Sequence, residues 1–123
     1  MAATRHIAPR IKGWFALGDE FLMGPRYVRL LEAIDETGSI RAACKEAGVS
    51  YRTCLNRLRQ MERVMGHVLV ETSRGGAGGG GAALTPESRH LVRVYRRWRT
   101  QLARLSDRAF ADAMRGPARK RTG

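Results

Sequence analysis

Cysteine is scarce in this chain, as are aromatic residues, acidic residues and long apolar runs, and each shortage removes a class of protein. Two cysteines, Cys44 and Cys54, are too few for the disulfide scaffold of a small secreted domain, and their low number accords with a reducing compartment. No apolar run approaches the roughly 18 residues of a membrane-spanning helix, and the opening MAATRHIAPRIK lacks the apolar stretch of an export signal. The expectation is a cytoplasmic protein with no membrane partner. His6, His67 and His90 are scattered, and neither Cys-x-x-Cys nor His-Glu-x-x-His spacing occurs, so no metal and no cofactor are expected. Asp19, Glu20, Glu32, Asp35 and Glu36 fall in amphipathic or turn contexts and read as surface carboxylates balancing arginines. No catalytic arrangement emerges, and the chain is not expected to be an enzyme.

What is abundant is positive charge. Lysine and arginine number 23 against 11 aspartate and glutamate, a formal net charge of +12 over 123 residues. Such an excess concentrates polyanions near the surface, which makes nucleic acid the first partner to consider. The length and a 43% hydrophobic content support one domain with tails and a modest core.

The chain is organised around Gly38 to Met65. Ser39 is placed to cap a helix over 40–47 whose small residues Ala42, Ala43 and Ala47 permit close approach, and Gly48 supplies a left-handed stop. Val49 plugs the turn. Ser50 caps a second helix, spanning 50–65, with Cys54, Leu55, Leu58, Met61 and Met65 on one face and Arg52, Thr53, Asn56, Arg59, Gln60 and Arg63 on the other. This is the pattern of a helix-turn-helix.

The flanks complete a winged form of it. Residues 1–10 read as a flexible basic arm. Within 11–23, IKGWFALGDEFLM carries strand formers on both sides of a Gly18-Asp19 turn and predicts a hairpin. Pro25 opens a helix over 25–37 with Tyr27, Leu30, Leu31 and Ile34 as its apolar stripe. A wing is expected over 68–84, two short strands around the glycine run 75–81, so that the DNA-binding domain occupies 11–84. Thr85-Pro86-Glu87 then starts a long helix over 85–114, in which Leu91, Tyr95, Trp98, Leu102 and Leu105 recur at spacings of four and three. That seam predicts dimerisation. Residues 115–123 read as a basic disordered tail. The fold class is mainly α with short β.

The run from Gly38 through Glu62, with GS, AA, GVS and RLRQMER before a hydrophobic strand and LTPES, resembles the helix-turn-helix of LysR-type regulators. The preceding hairpin, the GPRYVRLLEAIDETGSI segment and the insertion GGAGGGGAALT are similar to the N-terminal domain of ModE-type molybdate-responsive regulators. The resemblance implies a winged helix-turn-helix that dimerises through its terminal helix and reads a pseudo-palindromic operator in double-stranded DNA. Because the sequence stops at Gly123, molybdate binding is not carried over with it.

For the recognition helix this reading assigns Arg52 and Arg57 to guanine or phosphate, Asn56 to adenine, Thr53 to a thymine methyl, and Ser50, Tyr51 and Arg59 to the backbone or base edges. The plain alternative is a solvated helix face, with Tyr51 packed inward. Arg74 at the wing tip is assigned to phosphates or the minor groove, against a plain flexible loop. The glycine run lacks the Gly-Lys-Ser/Thr ending of a nucleotide loop and leads into a strand, which excludes that function. Arg89, Arg93, Arg96, Arg97, Arg99, Arg104 and Arg108 read as a solvated face of the long helix, with some of them over the DNA backbone as the other reading. Cys44 and Cys54, on adjacent helices, read as two small packing residues, with a thiol pair as the other reading. A protein-interaction module, using the long helix while the helix-turn-helix serves as scaffold, is the alternative function.

Overall fold

The computed structural model describes residues 6–74 and 80–117. The first five residues of the expected arm, the wing tip at 75–79 and the basic tail from 118 lie outside the described residues. The chain divides into two compact units, one spanning Lys12–Arg96 and the other combining Met1–Ile11 with Arg97–Gly123.

Within Lys12–Arg96 the strands β1 (Phe15–Leu17) and β2 (Glu20–Met23) form an antiparallel hairpin. Gly18, at φ 61°, makes the tight turn, and a register shift beside Phe15 sets Phe15 opposite Met23. Helices α1 (Pro25–Thr37), α2 (Ile40–Ala47) and α3 (Tyr51–Met65) follow, each ended by a glycine in the left-handed conformation. Strands β3 (Val70–Ser73) and β4 (Gly81–Leu84) pair antiparallel as the wing, and α4 runs from Pro86 to Met114. The result is mainly helical, with a short N-terminal hairpin, a winged helix-turn-helix and a long C-terminal helix.

One apolar core explains why these elements sit together. Leu22 and Met23 from the hairpin, Val28, Leu30, Leu31 and Ile34 from α1, and Cys54, Leu58 and Met61 from α3 are all buried. Leu69, Val70 and Leu84 close it from the wing, while Val92 and Tyr95 close it from α4. Burying such side chains is the main stabilising term, about 1.5–3 kcal/mol for each large aliphatic one.

Polar pins then fix the wing. The Glu62 carboxylate, at the end of α3, accepts hydrogen bonds from the Leu69 and Val70 N–H groups at 2.8 and 3.3 Å. The Ala82 N–H donates to the Gly38 carbonyl at 2.9 Å, hanging β4 on the turn between α1 and α2. Thr85 donates its hydroxyl to the Val68 carbonyl at 3.0 Å and accepts from the Ser88 N–H, joining strand and helix start.

Two expectations change at this level. Arg89 and Arg96 stay on the exposed face of α4, as expected, but they are not free there: Arg89 lies 3.3 Å from Asp35, and Arg96 donates to both oxygens of Glu32. The hydrogen bond to Glu32 raises the pKa of Arg96, against a smaller opposing effect of burial. The cysteines are a bonded pair instead of two packed thiols. A disulfide joins Cys44 of α2 to Cys54 of α3, with Cα atoms 6.2 Å apart and both residues buried. A covalent closure across a sequence separation of 10 contributes about 2–3 kcal/mol through the unfolded state. Dithiothreitol is therefore expected to lower the urea midpoint by a corresponding amount, and unchanged unfolding with and without reductant would show the bond to be energetically idle.

Candidate nucleic-acid interface

The helix-turn-helix is held by its caps. The Ser39 hydroxyl accepts from the Ala42 N–H at 3.1 Å, starting α2. At its end Gly48 turns left-handed, and the Val49 N–H returns to the Cys44 carbonyl at 3.1 Å. Ser50 then starts α3, accepting from the Thr53 N–H at 3.1 Å and donating its hydroxyl to Thr53 Oγ1 at 3.0 Å. Two of the predicted contact residues thus bind each other at the helix start, and their outer surfaces remain available.

With Cys54, Leu58 and Met61 buried, the helical period turns Arg52, Asn56, Arg59 and Arg63 outward, and all four are exposed. Tyr51 is 37% exposed, with the Arg41 guanidinium 4.3 Å from its ring centroid. Arg41, on the first turn of α2, escaped the sequence reading. Its signal was a position two residues after the Ser39 cap, which only the fold brings beside the start of α3. A hollow of about 310 Å³ lies here, between the start of α2, Tyr51 and the wing residues Thr72, Ser73 and Ala82. Arg74, exposed, is the last described residue before the wing tip.

Arg57 is placed differently from its expected partners. It is half-buried, its guanidinium lies 5.5 Å from the Tyr27 ring centroid, and it lines a second hollow with Arg26, Arg29 and Glu46. Its side chain is occupied against α1, off the face that carries Arg52 and Asn56.

The expected dimer seam divides as well. Tyr95 is 0% exposed and donates its hydroxyl to the Gly13 carbonyl at 2.8 Å, so it belongs to the core of Lys12–Arg96 and not to an outward seam. Leu91, Trp98 and Leu102 are half-buried, whereas Leu105 is 59% exposed. Among the described residues no helix is long and apolar enough to cross a membrane.

Comparison with known proteins places this geometry. The chain is 36% identical over 94 residues to the DNA-binding transcriptional dual regulator ModE of Escherichia coli (strain K12), a match covering 76% of this chain and 34% of that protein. It is 41% identical over 73 residues to the molybdenum-pterin-binding protein MopB of Rhodobacter capsulatus, covering 59% of this chain and 27% of that one. The chain thus spans about a third of the length of the curated relatives it matches. Among solved structures, the CbnR DBD in its DNA complex superposes with a TM-score of 0.56 at 28% identity, over 72% of this chain and 95% of the other. The BenM DBD in its complex with benA site 1 DNA shares the fold, with a TM-score of 0.53 at 18% identity, over 72% of this chain and 93% of the other. Residues 25–89, which contain the three helices and the wing, match the bacterial regulatory helix-turn-helix protein family, and the chain belongs to this lysR family.

Proposed function

We propose that this chain regulates transcription as a homodimer that binds duplex DNA, inserting α3 into the major groove. The observation that carries the reading is the exposed row Arg52, Asn56 and Arg59 on a capped helix, flanked by the wing and by Arg41 and carried on a chain of net charge +12. Arginine and asparagine are the side chains that pair bidentately with guanine and adenine edges. The relatives' names and the DNA complex of the CbnR neighbour agree with it.

Two recognition helices related by a two-fold axis read half-sites about 34 Å apart. Selection of bound sequences from a random duplex pool is the decisive experiment, because the recovered motif reports specificity, symmetry and spacing together. Recovery of no motif beyond the background, from protein that is folded, would overturn the reading. Arg52→Ala is expected to weaken binding to the selected site by about 1–3 kcal/mol while leaving scrambled duplex much less affected. A uniform loss across both duplexes would instead assign Arg52 to phosphate.

A second reading rests on α4, where Leu105 at 59% and Met114 at 50% exposure are apolar side chains on an outward helix surface. A partner helix covers them either in a second copy or in another protein. Sedimentation of the purified chain separates the two, since a stable monomer without DNA affinity supports the interaction module.

A further inference from the structure

A hollow of about 320 Å³ opens between the β1–β2 hairpin and the start of α1, and it shares no lining residue with the hollow beside the wing. Trp14, Phe21 and Tyr27 supply its walls, and Lys12, Arg26 and Arg29 stand around it. We propose that it docks an acidic segment of a partner protein, seating one aromatic side chain of that segment against Trp14 while the segment's carboxylates meet the three cations.

Trp14 is 59% exposed, an unusual state for the residue type that gains most from burial. Yet it is held in place. The carbonyl of Gly13, immediately before it, is bound by the buried Tyr95 hydroxyl at 2.8 Å. Behind it the chain passes at Gly24, where an added Cβ would stand 3.3 Å from the Trp14 Cβ and 3.7 Å from the Phe21 ring. Phe21 and Tyr27 lock edge to face with centroids 5.0 Å apart. The walls are thus apolar, interlocked at Phe21 and Tyr27, and exposed at Trp14, which is the character of an interface centre before its partner arrives.

The charges select the occupant. No carboxylate lines the hollow, and among the described residues Lys12, Arg26 and Arg29 form no ion pair. An occupant with negative charge around an aromatic anchor complements both parts. A nucleic-acid strand fits less well: Arg26 and Arg29 also line the neighbouring hollow with Arg57, but there Glu46 stands among them and opposes a phosphate track continued that way.

The test uses the full chain and a fluorescein-labelled, eight-residue acidic peptide with one central tryptophan, read by fluorescence anisotropy. Controls are the peptide with glycine for that tryptophan, the peptide with glutamine for its acids, and a labelled eight-nucleotide thymidine strand. The tryptophan peptide is expected to bind about tenfold more tightly than either altered peptide, and to lose about tenfold with Trp14→Ala and again with the pair Arg26→Gln and Arg29→Gln. Thermal melting of each variant reports its fold, and the Arg26 and Arg29 pair, both exposed, serves should Trp14→Ala fail to fold. Equal affinity for the glycine peptide overturns the proposal. So does indifference to the variants, and so does a thymidine strand that binds more tightly than the peptide with the same dependence on Trp14. Mobility shifts on duplex DNA, run in parallel, keep failure here distinct from failure of the regulator reading.

Discussion

Raising salt from about 50 to about 200 mM is expected to weaken duplex binding on the order of 10⁴-fold. The basis is the set of exposed arginines around the recognition helix and wing, leaving aside Arg52, which is assigned to a base: Arg41, Arg59, Arg63 and Arg74. In the proposed dimer these supply roughly eight neutralised phosphates, and each displaces condensed counterions, giving a slope of log affinity on log salt of about −7. Half-buried Arg57, against Tyr27, is left out of that count. Anisotropy titrations at four or five salt concentrations measure the slope directly. Arg41→Gln, which changes both subunits at once, should flatten it by about two and weaken specific and scrambled duplex alike, since a phosphate contact carries no sequence information. A slope shallower than about −3 would mean that only one or two of these side chains reach the backbone, and the docking of α3 with its wing would have to be redrawn.

How far the sequence sufficed depended on the range of the interaction concerned. Ser39, Ser50 and Gly48 were legible because a cap bonds within three or four residues of itself and its residue type is dictated by local backbone conformation. The hairpin turn at Gly18-Asp19 was legible for the same reason. That Glu32 and Asp35 balance arginines was legible, but which arginines was not, because Arg89 and Arg96 lie 54 and 64 residues from Asp35 and Glu32 and no local pattern names the pair. The neighbour of Arg57 was not legible either: its place on the helix is intermediate between the faces, and only the fold sets it beside Tyr27 of α1. Arg41 went unremarked because its importance arises only when α2 is packed beside the start of α3. For the cysteines, sequence brought the two helices together but carried nothing that distinguishes adjacent thiols from a bond.

Tyr95→Ala is expected to destabilise the chain by about 3–5 kcal/mol, the range for deleting a large core side chain, whereas Leu105→Ala should leave the fold within about 0.5 kcal/mol. Heptad spacing set these two residues in one seam, since an inward core stripe and an outward dimer stripe have the same period. The structure separates them, with Tyr95 at 0% and Leu105 at 59% exposure. The Tyr95 ring meets Phe15 edge-on with centroids 5.2 Å apart, and its hydroxyl reaches the carbonyl of Gly13, 82 residues earlier. Tyr95→Phe keeps the ring and strands that buried carbonyl, a loss of about 1–2 kcal/mol. Urea unfolding at fixed protein concentration measures all three variants, and sedimentation reports the association state of each. The expected pattern is a graded loss of stability for Tyr95→Ala and Tyr95→Phe, with weakened self-association confined to Leu105→Ala. A Tyr95→Ala protein that melts normally but sediments as a monomer would return Tyr95 to the interface between copies and leave the core of Lys12–Arg96 without the side chain that closes it.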